Sequence, residues 1–285
     1  MTQPNSPINS IKQPVRRATK QPWFERLARL GYAAKGLVYF IVGFLAAQAA
    51  FGAGGRTTNT SGALTTIVIQ PFGKFLLFIV TIGIIGYVLW RIVQTILDPE
   101  HAGEQMNAKR IAQRLGYAFS ALTYCGLALT AVKLIMGSEG GNGEATEDWT
   151  ELFLAQPLGR WLVGLAGVIV ISVGFYYLYE AYKAKFRRHL KLSQMNHFEQ
   201  TWAVHLGRFG IAARGIVFAI IGLFLILAGK QSDASQTKGF GEALAILAQQ
   251  PFGSWLLGIV ALGLIAYGIY SVIEARYRQI VRGKS

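Results

Sequence analysis

The stretch Arg29–Phe51, RLGYAAKGLVYFIVGFLAAQAAF, decides the fold class. From Tyr32 to Phe51 it carries a single charge, Lys35. A helix rises about 1.5 Å per residue, so about 20 apolar residues cross the ~30 Å hydrocarbon core of a bilayer. Five further runs have the same character: Lys74–Leu97, Gly116–Met136, Arg160–Tyr182, Phe209–Gly229 and Ser254–Glu274. None alternates with period two, and backbone polar groups in lipid must be satisfied within the segment. The expectation is an all-α polytopic membrane protein with six transmembrane helices.

The opening motif returns twice. Arg29-Leu30-Gly31-Tyr32-Ala33 is matched by Arg114-Leu115-Gly116-Tyr117-Ala118 and by Arg208-Phe209-Gly210-Ile211-Ala212. The even-numbered spans follow Gln70-Pro71-Phe72-Gly73, Gln156-Pro157-Leu158-Gly159 and Gln250-Pro251-Phe252-Gly253. Gly116 to Gly210 and Gly159 to Gly253 are both 94 residues, and the earlier copies are offset by 85 and 86. The fold is thus read as three parallel two-helix repeats in a pseudo-threefold arrangement. A tail, 1–22, is expected to be disordered and cytoplasmic, followed by repeats at 23–105, 106–194 and 195–285, the last with a short C-terminal tail. Each proline is expected in the first turn of its helix, where a missing N–H costs nothing. Short amphipathic stretches before the Gln-Pro motifs, Ala63–Ile69, Trp149–Ala155 and Glu242–Ala248, are expected at the outer interface.

Charge sets the orientation. The net charge is +14, with only 15% charged residues and 52% hydrophobic ones. Nineteen Lys and Arg flank the spans on one side and three on the other, which places both termini in the cytoplasm. The basic balance is therefore a topology signal, and no nucleic acid partner is expected. The third loop, Gly137–Gly159, holds five acids and no Lys or Arg, so it belongs outside.

The openings, the Lys35-Gly36 and Arg214-Gly215 pairs and the Gln-Pro-Phe-Gly turn together resemble the bacterial domain of unknown function 1206 family. The resemblance covers about Trp23 to Arg278 and implies three tandem two-helix membrane units in a bacterial inner (plasma) membrane. It implies no activity. The middle copy departs most, with Ser120-Ala121 where the others have a basic residue and glycine.

Charges inside spans are costly in lipid and are the candidate site. Lys35, Ser120 and Arg214 are equivalent positions, as are Gln94, Glu180 and Glu274. Of the three cyclic ways to pair the sets, one sets every charge against an opposite charge: Lys35–Glu274, Arg214–Glu180 and Ser120–Gln94. This inter-repeat polar latch predicts a closed ring of three units. The alternatives are an ion relay, or local partners such as Glu180–Lys183 and Glu274–Arg278 on one helix face. Gly31, Gly36 and Gly43, repeated as Gly210, Gly215 and Gly222, are expected at close helix crossings, because small residues let helices approach in lipid. Trp90, Tyr176 and Tyr270 are expected in an aromatic belt, Arg91 as a snorkelling side chain, and Cys125 as a small buried residue.

No Gly-Lys-Ser/Thr phosphate loop, Gly-x-Ser-x-Gly elbow or paired-histidine zinc motif is present. The expectation is a non-enzymatic structural or partner-binding membrane component without cofactor or metal. Its partners are the lipid bilayer and, beyond it, another protein or a second copy. The alternative is a transporter or channel for a small molecule or ion along the pseudo-threefold axis.

Overall fold

The computed structural model describes residues 21–97, 99, 107–138, 145–156 and 158–279. Residues 1–20 of the N-terminal tail and 139–144 and 157 of the acidic third loop lie outside the described residues. The helices are α1 (Pro22–Ala50), α2 (Thr60–Val68), α3 (Gly73–Leu97), α4 (Ala108–Ile135), α5 (Ala145–Leu154), α6 (Gly159–Lys183), α7 (His197–Gln231), α8 (Phe240–Gln249) and α9 (Gly253–Tyr277). Six of these, α1, α3, α4, α6, α7 and α9, are long and apolar enough to cross a membrane. The short helices α2, α5 and α8 precede α3, α6 and α9. Asn59, Asn107 and Asn196 cap α2, α4 and α7, each side chain accepting a backbone N–H three residues on.

The Gln-Pro-x-Gly motif forms a tight turn, not the first helical turn expected of it. The Gly73 N–H donates to the Gln70 carbonyl at 2.7 Å, and Gly253 repeats this with Gln250. The helices begin only at the glycines, so Pro71 and Pro251 are the second residues of four-residue turns. Phe72 and Phe252 at the third position have φ of 59° and 61°, a conformation costing a non-glycine residue about 1 kcal/mol. A Cβ on Gly73 would stand 2.3 Å from the Ile67 carbonyl oxygen, and one on Gly253 2.0 Å from that of Ala248. Glycine recurs there because the preceding short helix ends against it.

The spans are ordered α4, α3, α1, α9, α7, α6, each packed on the next. The first helix of each copy lies against the second helix of the preceding copy: α1 on α9, α4 on α3, α7 on α6. Within a copy, α1 packs on α3 and α7 on α9, whereas α4 and α6 of the middle copy approach each other far less, with Gln113 of α4 hydrogen-bonded to Tyr176 of α6. The closed ring expected from the repeat is therefore an open one.

Glycine explains both the closures and the gap. Positions seven apart share a helix face; positions five apart are turned by about 140°. Accordingly Gly36 and Gly43 face α9, while Gly31 faces α3. A Cβ on Gly36 would meet the Gly268 carbonyl oxygen at 2.7 Å, and one on Gly43 the Ala261 carbonyl oxygen at 2.8 Å. The α6–α7 seam repeats this: Gly215 meets Gly174 at 2.8 Å, and Gly222 meets Gly167 at 2.7 Å. Gly31 and Gly210 press on the backbones of Tyr87 and Tyr267 within their own copies, at 2.6 and 2.5 Å. Their equivalent Gly116 has nothing within 4 Å.

The middle copy lacks the small residues that close the other two. In copy one, a Cβ on Gly83 would stand 2.6 Å from the Ala34 Cβ; in copy three, one on Gly263 would stand 2.4 Å from the Ala213 Cβ. By the same spacing the middle pair is Phe119 and Ile169, and both are exposed. An Ala–Gly crossing cannot be reproduced by phenylalanine against isoleucine. Consequently α6 is the least enclosed span, with 17% of its apolar window buried against 61% for α9.

Gly222→Val forces a side chain into the 2.7 Å contact with Gly167. Overpacking of this kind costs about 1–3 kcal/mol, so thermal unfolding in detergent should fall by roughly 5 °C. Gly116→Ala, which meets nothing, should leave the melting temperature unchanged or raise it slightly.

Candidate functional site

All six spans send a side chain to one cluster. It contains Lys35 and Tyr39 from α1, Tyr87 from α3, Tyr124 from α4, Tyr177 from α6, Arg214 from α7 and Tyr267 from α9. Rings link the helices edge to face: Tyr39 to Tyr267 at 4.9 Å and Tyr32 to Tyr87 at 5.3 Å between centroids. Tyr87 and Tyr124 lie 4.6 Å apart in a tilted pair, the main aromatic tie of α4 to the rest.

Lys35 is only 2% exposed, and its neighbours account for its charge. Nζ is 3.5 Å from Glu274 Oε2, donates to the Tyr267 hydroxyl at 3.1 Å, and stands 4.9–5.3 Å from the rings of Tyr32, Tyr87 and Tyr267. Glu274, equally buried, also pairs with Arg278 one turn on. One carboxylate thus serves two cations, one from the neighbouring copy and one from its own helix.

Arg214 behaves differently. It does not pair with Glu180, and this part of the latch is corrected. Its Nη1 donates to the Tyr267 hydroxyl at 2.6 Å. Its guanidinium sits among the rings of Tyr39, Tyr177, Phe218 and Tyr267, with centroids at 4.6–5.5 Å. Arginine's flat, weakly hydrated cation stacks on such faces, and the electron-rich box attracts it away from the helix end where Glu180 stands. Glu180 lies among the charges of the basic end of the bundle, His189, Arg188 and Arg278 with Glu274.

The Ser120–Gln94 contact is not formed either. Gln94 is fully buried and its Oε1 accepts from Arg91 Nη1 at 2.8 Å. Arg91 was read as snorkelling, yet it turns inward, with Nε donating to the Tyr87 hydroxyl at 2.8 Å. The aromatic belt also needs correction. Trp90 and Tyr270 are buried, Trp90 donating to the Tyr32 hydroxyl at 3.1 Å, and only Tyr176 is exposed. Cys125 is exposed rather than buried. In each case the residue that varies between copies, not its type alone, decides whether a partner is in reach.

Sequence reasoning found the cations but missed the tyrosines. Tyr39, Tyr124 and Phe218 lie eight residues after Gly31, Gly116 and Gly210, and Tyr87 and Tyr267 lie fourteen after Gly73 and Gly253, with Val173 between them in copy order. Aligning the copies beyond their motifs exposes this pattern. At the basic end, Arg29 caps α9 by donating to the Ala275 carbonyl at 3.0 Å and to that of Arg276. A separate groove of about 820 Å³, lined in part by Lys183, His205 and Arg208 of α6 and α7, does not include the cluster residues.

The fold and site define a six-span membrane protein of three tandem two-helix units gathered around a core of tyrosine and buried cations. The chain belongs to the Domain of Unknown Function family DUF1206, whose family model matches three times, at residues 30–98, 115–184 and 209–278. It is similar to "Uncharacterized protein YxxB" of Bacillus subtilis (strain 168), with 40% identity over 267 residues that cover 93% of this chain and 95% of that protein. No solved structure matches the chain.

The shared carboxylate predicts an asymmetry. Glu274→Gln strands Lys35 and Arg278 together, whereas Lys35→Met leaves Glu274 with Arg278. Removing one partner of a buried pair costs about 3–5 kcal/mol. Denaturation in mixed micelles should show Glu274→Gln losing about that much and Lys35→Met distinctly less, with the double variant losing less than the sum.

Proposed function

We propose that the protein is a non-enzymatic binding component of the bacterial plasma membrane, with both termini in the cytoplasm. It holds a membrane-resident partner at the open side of its middle repeat. The observation carrying this reading is the weak packing of α4 on α6, which meet through Gln113 and Tyr176, in a bundle whose other neighbouring spans all pack together. The gap is a property of the residues that stand there. Phe119 and Ile169 occupy a crossing where Ala and Gly close the other copies, so the middle copy is built to be filled from outside itself.

The interior disfavours the reading of a hydrated channel. Lys35, Gln94 and Glu274 are all under 5% exposed; Lys35 engages Glu274 and Tyr267, and Gln94 accepts from Arg91. Such an axis holds the bundle together and offers no water-wide path. A binding role agrees with it; continuous ion conduction does not.

The topology is testable in cells. In a Cys125→Ser background, a cysteine at Ser235, between α7 and α8, should react with a membrane-impermeant maleimide in intact cells. One at Gln194, between α6 and α7, should react only after permeabilisation. The binding role is tested by a photo-crosslinking residue at Ile169, facing the gap, and another at Phe78, on the exposed face of α3. Position 169 should trap a defined species in saturable amount, and position 78 bulk phospholipid. Identical product profiles at the two positions overturn the reading.

A further inference from the structure

Arg214, the cation inside the aromatic box, has no acid among its described partners. Among the described residues the ion pairs are Arg29–Glu25, Lys35–Glu274 and Arg278–Glu274. Arg214 uses Nη1 on Tyr267, while its Nε is buried with no hydrogen-bond partner. The Nε–Nη2 edge is therefore unspent. That edge is the fork by which arginine holds a carboxylate through two parallel N–H bonds. Close by lies the buried Tyr124 hydroxyl, which faces that of Tyr39.

Arg214 is only partly buried, unlike its counterpart Lys35. Its walls are Tyr39 of α1, Tyr267 of α9, and Tyr177 and Phe218 on the α6–α7 side. The α6–α7, α7–α9 and α9–α1 seams are packed, and α4–α6 is the seam that is not. The least closed side of the box is thus the middle copy, where Phe119 and Ile169 are exposed.

The geometry points to a site for a carboxylate amphiphile of the fatty-acid type, its headgroup on the Nε–Nη2 edge of Arg214 and its tail lying out through the α4–α6 gap. This rests on the binding role proposed above and names the ligand class. Depth selects the headgroup: Arg214 is six residues, about 9 Å along α7, beyond Arg208 at the basic end. A headgroup drawn that far in must be small, and a carboxylate matches the planar fork. Charge supports it too, since an arginine at this depth without a counter-ion is costly and an anion removes that cost.

Binding of labelled dodecanoate to the full-length protein in uncharged-lipid nanodiscs at pH 8 tests the site. Wild type should bind one molecule saturably, with dodecanol and acetate failing to compete, since one lacks the charge and the other the tail. Arg214→Gln should weaken binding by about tenfold or more. Arg214→Lys, which keeps charge but loses the fork, should fall between. Phe119→Ala with Ile169→Gly installs the small crossing of the other copies, lets α4 close on α6, and should weaken binding with Arg214 untouched. Arg208→Gln should bind as wild type. Unchanged binding by Arg214→Gln or Arg214→Lys, effective competition by dodecanol, or tighter binding of dodecyl phosphate than of dodecanoate overturns the assignment. A defined species other than a fatty acid trapped at position 169 overturns it while leaving the binding role standing.

Discussion

The structure depends on backbone-to-backbone contact between helices of neighbouring copies. In lipid there is little hydrophobic gain in bringing apolar helices together, so association rests on close packing and polar ties. Two seams achieve this through glycine pairs seven residues apart: Gly36 and Gly43 against Gly268 and Ala261, and Gly215 and Gly222 against Gly174 and Gly167. At the third seam the equivalents are Ala121 and Ala128 against Val88 and Thr81. Methyl groups and a branched side chain hold α4 further from α3. The tilted Tyr87–Tyr124 pair supplies there what glycine supplies elsewhere.

Close approach has an electrostatic consequence. Once α1 and α9 meet at the Gly36 and Gly268 backbones, the side chain one position earlier, Lys35, is carried inward beside Tyr267 and Glu274. The same step on α7 carries Arg214 inward from beside Gly215. The basic residue and the glycine are thus one device: glycine brings the backbones together, and the cation is enclosed as a result. The middle copy, with Ser120 and Ala121, has neither half of it.

Much of this was legible in the residues. The spans, their count and the threefold repetition follow from apolar length and motif spacing, because lipid leaves the chain so few ways to satisfy its backbone. The Lys35–Glu274 approach followed from charge matching between copies. Arg214 did not, because charge matching ignores the aromatic box that competes for a guanidinium. The inward turn of Trp90, Tyr270 and Arg91 was likewise hidden, since an amphipathic side chain near a span's end fits an interface as well as a polar core, and only packing decides between them. The open middle copy was half legible. Its departure at Ser120-Ala121 was visible, but the replacement of Ala and Gly by Phe119 and Ile169 lies between the motifs and shows only in a full alignment of the copies.

Repetition constrains what the open copy can mean. Three equal units would close on themselves and leave nothing unsatisfied. Here the units with glycine close, and the unit with bulky residues packs least beside Arg214, a cation with no acid among its described partners. Were the gap only a loss of packing in a tolerant copy, nothing would require the unpaired charge to lie next to it. Arg214 sits in the third copy, yet it is walled by Tyr177 of the second and Tyr39 of the first. The vacancy in one repeat and the surplus charge of another meet at the same point in the bundle, and each supplies what the other needs for binding: the gap gives access, and the cation gives a reason to enter.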